Sequence, residues 1–557
     1  MRFDPRLRLI LPLVLLALAC RTLLPGAALP TGAPPAAVAP TRSPAPPLPT
    51  STLPAPTATL TPAPARYGLR PEDVTFHPGP ELYSGDIVSL EIDAAHLDPE
   101  WGDVRVSVYA GPDRAQPLAS ETFGSFGIGG RAQATFWWVW DTAGLEGEQS
   151  VTLTVEPAEG GDPLDTLTLT VRLAPAAQRP MPEPLARWAQ AESACCVFHY
   201  LTGTAAARDI DLIQAEADAA LAQVEDALGV RRRDKIPFTL LSRLLGHGGF
   251  ASSEISLTYL DRNPAGLDLP TVFRHEGVHI LDRQIAETRP AFLTEGLAVF
   301  VAGGHYKPED LDRRAAALLA LDRFIPLRTL ARDFYRAQHE IGYLEAGALV
   351  KYLVDVYGWG TFRAMYASLQ PAPDELQMLE AGLAAHYGKP LLEIEAEWLA
   401  HLRAQAQDPA EIENLRLTID LFDTLRRYQQ QFDPPAYFLS AWLPDGPRAR
   451  QRGIVADFIR SPRAAENLAL EAMLTGAEQA LHRGETAEAG RLLQAAQAVL
   501  DAGGLFFDPL AARYRRIAQD LLAQGYELQT LDLSGPTPRV TAIRDWPTLE
   551  TLTYNSD

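Results

Sequence analysis

The sequence contains little cysteine, and what it has is poorly placed for a disulfide scaffold. Only three of the 557 residues are cysteine, and two of these, Cys195 and Cys196, are neighbours in the chain. A bridge between adjacent cysteines strains the peptide that joins them, so we expect both to be unpaired, buried strand residues. The sequence therefore predicts no disulfide framework.

Basic residues are also scarce relative to acidic ones. The chain has 49 Lys and Arg against 70 Asp and Glu, which gives a formal net charge of −21 at pH 7. Phosphate backbones and anionic lipid headgroups repel so acidic a chain. We therefore expect neither nucleic acid nor an anionic lipid surface as a partner.

The apolar run at the N-terminus, residues 9–19, is too short to cross a bilayer as a permanent helix. Together with the arginines before it, this run predicts an export signal over residues 1–20. The signal ends in LALAC, which resembles the bacterial lipoprotein box, so cleavage before Cys20 would leave that thiol to carry lipid. This predicts a bacterial cell-surface lipoprotein, attached to the extracytoplasmic face of the membrane only through lipid on Cys20. Because Ala17 stands where the box prefers leucine, ordinary secretion is the alternative.

A tether and a β-domain are predicted after the signal. Residues 21–66 are rich in proline, alanine and threonine and cannot bury a core, which predicts an extended, disordered tether. Residues 67–175 alternate apolar and polar residues between Gly- and Pro-rich turns, which predicts an all-β, immunoglobulin-like sandwich. Trp138 and Trp140 are expected to pack in a core; a carbohydrate-binding aromatic face, shared with Trp137, is the alternative.

The most specific motif in the chain is His275-Glu276-Gly277-Val278-His279. On a helix, residues i and i+4 lie on one face, so both imidazoles can reach a single metal ion. Glu276 would stand beside the attacking water, where a general base is needed. Catalytic zinc usually takes three protein ligands, so the motif calls for one more.

Glu295 is the best candidate for the third ligand. Pro290 predicts the start of a helix whose apolar residues bury one face. A lone carboxylate on such a helix is costly to bury unless it is paired or binds a metal. A solvent-facing Glu295 near a helix N-terminus is the alternative, and Glu287, in a polar stretch, is a weaker candidate.

These residues resemble the gluzincins, the thermolysin-like superfamily of zinc metallopeptidases. HEGVH followed by PAFLTEGLAVF is similar to a bacterial group in which HExxH precedes P-x-W-L-x-E-G-x-A on the next helix. The resemblance covers about 190–405 and includes the run 343–358, which is similar to the following helix of that group. It implies one zinc ion per chain. The ligands would be His275, His279 and Glu295, and Glu276 would be the general base.

The sequence departs from the family pattern without losing a ligand. Phe292 replaces the usual tryptophan, and Val299 stands where thermolysin has an aspartate that orients its first histidine, so another group must do this here. Gly277 inside a helix costs about 1 kcal/mol relative to alanine. This suggests that another element approaches the metal helix closely at that point.

The pattern around the motif predicts an α+β, gluzincin-like peptidase domain over 184–407. Residues 209–228 are an amphipathic helix, while 236–241 and 254–260 are strands. In gluzincins the edge strand before the metal helix pairs with the substrate backbone, so the resemblance assigns that role to 254–260.

Residues 410–557 are predicted to be mainly helical. The helices 465–481 and 486–500 resemble one tetratricopeptide-like hairpin, whereas a solenoid needs about three repeats. A terminal β-hairpin is predicted over 526–533 and 539–546.

The resemblance implies a hydrolase that acts on peptide or protein substrates. Tyr343 is the predicted catalytic donor to the oxygen that becomes charged in the transition state; His305 and Tyr306 are alternatives, and ordinary packing is the other role open to Tyr343. The main alternative function is a catalytically inactive, envelope-anchored binding or scaffold protein that keeps the peptidase fold, and a chance motif in a helical domain is the third. The intact base Glu276 favours the enzyme, since a non-catalytic site has no need of it.

Overall fold

The N-terminal half of the protein is built from β-sheets and the C-terminal half from helices, in a multidomain α+β arrangement. The computed structural model describes residues 68–553 apart from 94–103, 112–115, 127–130, 244–247, 265–267, 306, 439–441, 534–537, 545 and 547. The predicted export signal, Cys20 and the tether lie outside the described residues, and so does Tyr306.

Nine strands form two sheets in the first part of the described chain. They are β1 Val74–His77, β2 Leu82–Tyr83, β3 Ile87–Asp93, β4 Val104–Ala110, β5 Ala119–Thr122, β6 Gly124–Phe126, β7 Arg131–Asp141, β8 Gly147–Pro157 and β9 Asp165–Ala174. The strand orders are β1-β3-β7-β6 and β2-β9-β8-β4-β5. Apolar side chains from both sheets share one core, and Trp140 packs inside it, as predicted.

A five-stranded sheet comes next and leads to the metal helix. Its strands are β10 Trp188–Glu192, β11 Cys196–Leu201, β12 Ile236–Leu241, β13 Gly249–Ala251 and β14 Ile255–Thr258, in the order β10-β11-β12-β14-β13. The strand predicted over 254–260 exists as β14, but the prediction that it lies at the edge is wrong. It pairs parallel to β12 on one side and antiparallel to β13 on the other, so β13 is the edge strand.

The prediction that Cys195 and Cys196 are unpaired is also wrong, because the two form a disulfide. Both are fully buried, and only Cys196 belongs to β11. The carboxylate of Asp218 accepts hydrogen bonds from the backbone N–H of Ala194 and Cys195 and from the hydroxyl of Ser193. Cys195 therefore lies in a pinned bend before the strand, where side chains need not alternate between opposite faces as they do within a strand.

Helices dominate the rest of the described chain. They are α1 Ala205–Arg208, α2 Ile210–Leu228, α3 Leu269–Leu281, α4 Ala291–Ala302, α5 Leu311–Ala320, α6 Leu327–Leu330, α7 His339–Tyr357, α8 Trp359–Ser368, α9 Glu375–Tyr387, α10 Leu391–Arg403, α11 Pro409–Phe432, α12 Gly446–Arg452, α13 Ala465–His482, α14 Thr486–Asp501 and α15 Pro509–Ala523. A short 3-10 helix, Phe334–Arg336, precedes α7. Within the described residues, none of these helices combines the length and the apolar character needed to span a bilayer.

The C-terminal part has its own apolar core. Helices α11, α13, α14 and α15 pack together, and an antiparallel sheet covers one side of them. Its strands are β15 Glu527–Asp532, β16 Arg539–Ile543 and β17 Leu549–Thr553, in sequence order. The predicted hairpin is thus present as β15 and β16, and a third strand that the sequence pattern missed extends it.

Trp138 lies in a different place from Trp140. Both Trp138 and Trp442 donate indole hydrogen bonds, each of 3.1 Å, to the buried carboxylate of Asp457. Trp137 stacks on Trp442 with ring centroids 4.2 Å apart. The alternative of a carbohydrate-binding tryptophan face is therefore wrong for these side chains, which join the β-rich half to residues 442–457.

Candidate metal centre

Helix α3 brings the two histidines of the motif onto one face. Asp268 precedes its first residue and Pro270 lies in its first turn, where the missing N–H of proline costs nothing. His275 and His279 are four residues apart, and their ring centroids lie 4.9 Å from each other. Both imidazoles keep some contact with solvent, so a ligand can approach them.

Helix α4 supplies the carboxylate. It begins directly after Pro290, as predicted, and Glu295 is buried on it. One oxygen, Oε2, lies 3.2 Å from Nε2 of His275 and 3.3 Å from Nε2 of His279. His275, His279 and Glu295 thus form a cluster that could hold a metal ion. Their candidate ligand atoms all lie within 4.8 Å of one another. Glu287 is exposed and lies outside it.

Glycines let each ligand-bearing helix pack closely on a supporting helix. A Cβ atom on Gly277 would lie 2.8 Å from Cδ1 of Leu221, so α2 packs directly on the metal helix at that residue, which confirms the close approach predicted there. On α4, a Cβ atom on Gly296 would lie 2.6 Å from the carbonyl oxygen of Ala346 in α7. Both distances are shorter than real Cβ contacts. A larger residue at Gly277 would displace the end of the Leu221 side chain, and one at Gly296 would push α4 away from the backbone of α7.

The electrostatics of the trio suit a divalent cation. Burial raises the pKa of Glu295, but the two histidines outweigh it and hold that pKa well below its ordinary value. Burial lowers the pKa of His279, yet the Glu295 carboxylate dominates and raises it to about 9. Two imidazole nitrogens and one carboxylate oxygen are the donor set typical of catalytic zinc, so the residues present fit this ion.

Glu276 projects into the cleft beside the trio. Its side chain is buried, and Oε2 has no hydrogen-bond partner among the described residues. A Cβ atom on Gly249 of the edge strand would lie only 3.0 Å from Oε1, so the strand leaves no room for a side chain there. Burial raises the pKa of Glu276 above its ordinary value, although the two histidines act against it. A carboxylate in this setting can take up a proton.

Tyr335 is a site residue that sequence reasoning missed. Its hydroxyl donates a 2.8 Å hydrogen bond to Oε1 of Glu295, the oxygen that does not face the histidines. Tyr335 lies forty residues after Glu295, in the 3-10 helix before α7, and no local pattern links the two.

A second set of residues outside the motif ties the end of α3 to the start of α4. Arg289 donates to the carbonyl oxygen of His279 at 3.1 Å and to Asp282 at 2.9 Å. Tyr366 donates to the other oxygen of Asp282 at 2.6 Å and lies 3.0 Å from the hydroxyl of Thr294. Because Thr294 precedes Glu295, this network sets the separation between the two ligand helices.

Tyr343 and His305 line the same cleft as Glu276. Their rings stack with centroids 4.5 Å apart, and the Tyr343 ring lies 6.0 Å from that of His275. Nδ1 of His305 lies 2.8 Å from Oε2 of the buried Glu340. The cleft is lined by both of these residues together with Gly248, Gly249, Thr271, Val272, His275, Glu276 and His339. The structure thus brings the predicted donor Tyr343 and the alternative His305 to the same cleft, and the role of each stays a prediction.

No family model matches this chain, and no curated protein matches it. Among solved structures the chain is similar to IMPa from Pseudomonas aeruginosa, determined in complex with an O-glycopeptide, with 11% sequence identity and a TM-score of 0.19. The match covers 73% of this chain and 53% of that one, so this chain spans about half the length of that protein.

Proposed function

We propose that the protein is a zinc-dependent metallopeptidase of the gluzincin type, which hydrolyses peptide bonds in peptide or protein substrates. One observation carries the proposal: Nε2 of His275 and of His279 converge on Oε2 of Glu295, while the buried Glu276 lies beside them in an accessible cleft. The HExxH motif and the following E-G-x-A helix, which resemble the gluzincins, support it.

Each group of the cleft has a separate task in this proposal. Zinc, when bound, would polarise a carbonyl as a Lewis acid and lower the pKa of water to about 7. Glu276 accepts the proton of the attacking water and passes it to the leaving amine. Tyr343 or His305 donates a hydrogen bond to the substrate oxygen as it gains charge. The edge strand β13, rather than β14, would pair with an extended substrate, because among the described residues it has a neighbouring strand on one side only.

Replacement of Glu276 by glutamine tests the proposal. The change is nearly isosteric and leaves His275, His279 and Glu295 in place, so the metal content should equal that of the wild type. It removes the proton acceptor, so hydrolysis of a peptide library should fall by about 100- to 10,000-fold. Glu287→Gln, an exposed glutamate near the same helices, is the matched control and should retain activity.

The same experiment separates the enzyme from an inactive binding protein that keeps the fold. Such a protein would bind zinc and show no hydrolysis that depends on Glu276. Wild-type cleavage that survives both chelation and Glu276→Gln would refute the gluzincin mechanism. Loss of zinc in Glu295→Ala, by contrast, is expected for either function and tests only the ligand assignment.

We also propose that the mature protein is a bacterial surface lipoprotein whose lipid is attached at Cys20. The basic-apolar-LALAC order supports cleavage before that residue, and the proline-rich segment that follows supports a tether. The two β-sheets after it would then form an immunoglobulin-like module between the tether and the peptidase domain.

A further inference from the structure

The loop between α4 and α5 carries His305 into the cleft and closes on itself through Glu309. The backbone N–H of Glu309 donates to the carbonyl oxygen of Gly303 at 2.9 Å. The Glu309 carboxylate in turn accepts a 3.2 Å hydrogen bond from the backbone N–H of His305. The position of the His305 ring therefore depends on where Glu309 is held.

Arg314 of α5 is the group that holds Glu309. Its Nε lies 2.8 Å from Glu309 Oε2, and a terminal nitrogen lies 3.9 Å from Glu340, the partner of the His305 imidazole. Arg314 and both carboxylates are almost fully buried. A buried charge cluster of this kind keeps its geometry only if its remaining donors also find partners.

Those remaining partners come from α11, in the C-terminal helical region. Arg314 donates to Oδ1 of Asn414 at 3.0 Å and to the hydroxyl of Thr418 at 3.5 Å. Lys307, in the His305 loop, reaches the same Oδ1 at 3.5 Å. One turn further along, the ring of Phe422 lies 6.2 Å from the ring of His305.

Asn414, Thr418 and Phe422 are spaced i, i+4 and i+8, so they form one stripe along α11. Asn414 also extends the contact to α13, because its amide donates to the carbonyl oxygen of Leu481 at 3.0 Å. A continuous series of contacts thus runs from α13 through α11 to the loop that presents His305.

We propose that the C-terminal helical region supports the active site, and that Asn414 is a positioning residue which holds the His305 loop through Arg314 and Lys307. The proposal rests on the proposed peptidase function for its catalytic consequence. The anchoring of the loop itself is a property of the fold and can be measured without any substrate.

Asn414→Leu in the full-length protein tests this. The side chain keeps its approximate volume but loses the acceptor for Arg314 and Lys307 and the donor to Leu481. Hydrogen exchange followed by mass spectrometry should show about tenfold faster amide exchange in 303–310, while 269–281 and 291–302 keep wild-type protection. Peptide hydrolysis should show kcat lowered by about 10- to 100-fold, with KM and zinc stoichiometry close to wild type.

Two variants on the same helix separate positioning from general stability. Arg416→Ala removes a partly exposed arginine that pairs with Glu413 and Asp420, so it should leave the exchange of 303–310 and kcat unchanged. Leu425→Ala removes a buried side chain from the C-terminal core and lowers stability without touching the loop. Thr418→Val, a smaller change to the same contact, replaces Asn414→Leu if that variant does not fold.

The outcomes are distinct. Wild-type exchange in 303–310 for Asn414→Leu, or faster exchange in 269–281 and 291–302 as well, overturns the proposal. The same is true if Leu425→Ala, at an equal loss of stability, frees the loop as much as Asn414→Leu does. A wild-type protein that cleaves no peptide refutes the proposed function, while the exchange data still decide whether α11 anchors the loop.

Discussion

The two oxygens of Glu295 have different partners, which fixes the orientation of this carboxylate. Oε2 faces both histidines, and Oε1 accepts the hydroxyl hydrogen of Tyr335. A carboxylate held in this way offers one oxygen to a metal in a fixed direction. Tyr335, far along the chain, thus orients the third ligand, Glu295, whereas the thermolysin aspartate four places after the ligand glutamate orients the first histidine.

Tyr335→Phe should therefore weaken metal binding without changing the ligands. Removal of a group that orients a ligand typically costs about 10- to 100-fold in metal affinity, and we expect this range for zinc. Competition with a fluorescent chelator measures it. The control is Tyr357→Phe, which loses a hydroxyl bonded to the remote Glu397 and should bind zinc as the wild type does. An unchanged Kd for zinc in Tyr335→Phe would show that other groups hold Glu295.

Zinc binding should release a proton near neutral pH. In the metal-free protein the Glu295 carboxylate, acting against burial, raises the pKa of His279 to about 9, so this imidazole is protonated at pH 7. A metal ligand must be neutral, so the proton competes with the metal below about pH 9. Apparent affinity should rise about tenfold per pH unit from pH 7 towards that value and then level off. Calorimetry in buffers of different ionisation enthalpy measures the proton; no release at pH 7 would contradict the assignment.

At the scale of the elements, the site depends on the contact between α4 and α7. Gly296 faces the backbone of α7, and Gly347 faces Val299, so each helix has a residue without a side chain where the other is bulky. Val299 thus packs against a neighbouring helix at the position where thermolysin has a polar orienting residue. Val299 therefore cannot orient His275 by a hydrogen bond.

Gly296→Ala should lower stability because the new Cβ would lie 2.6 Å from the carbonyl oxygen of Ala346. Forcing the helices apart in a packed core costs about 1–3 kcal/mol, and the shift next to Glu295 should also weaken zinc binding. Gly360→Ala on α8 is the matched control, since its Cβ would meet nothing within 4 Å. Thermal unfolding compares them, and equal midpoints would refute the packing argument.

Sequence patterns predicted which helices and strands are present around the site better than they predicted how the strands pair. The helices over 209–228 and around His275, and the strands β12 and β14, are present close to their expected bounds. Strand order was not predictable in the same way, since periodicity reports burial and not pairing. Strand β13 has only three residues, too few to show a period, yet it occupies the edge of the sheet.

At the scale of the whole molecule, the β-rich half is fastened to the helical part by charged and aromatic side chains. Arg460 forms buried ion pairs with Asp86 and Glu183, next to the indole groups bonded to Asp457. Such pairs keep their geometry because an unpaired charge in this interior would be costly. The two-sheet region is thus packed against the helical part of the described chain.

Lipid attachment at Cys20 is the prediction that concerns the whole chain. Growth of an expressing bacterium with a fatty-acid probe should label the wild-type protein and leave Cys20→Ala unlabelled. The mature chain should begin at residue 20, as N-terminal peptide mapping would show. Label that persists in Cys20→Ala, or a mature chain that begins elsewhere, would contradict the tethered form.

The sequence by itself determined the chemistry of the site. The spacing of His275 and His279 is a local property of one helix, and an acidic residue on the apolar helix α4 implied a partner for its charge, so the candidate ligands could be named in advance. Only the tertiary structure decided which groups orient them. Several contacts depend on packing between elements or on a bend of the backbone. They are the hydrogen bond of Tyr335, the Arg289–Asp282 network, the contacts of α11 with the His305 loop and the Cys195–Cys196 bridge. Periodicity along the chain carries no information about such contacts.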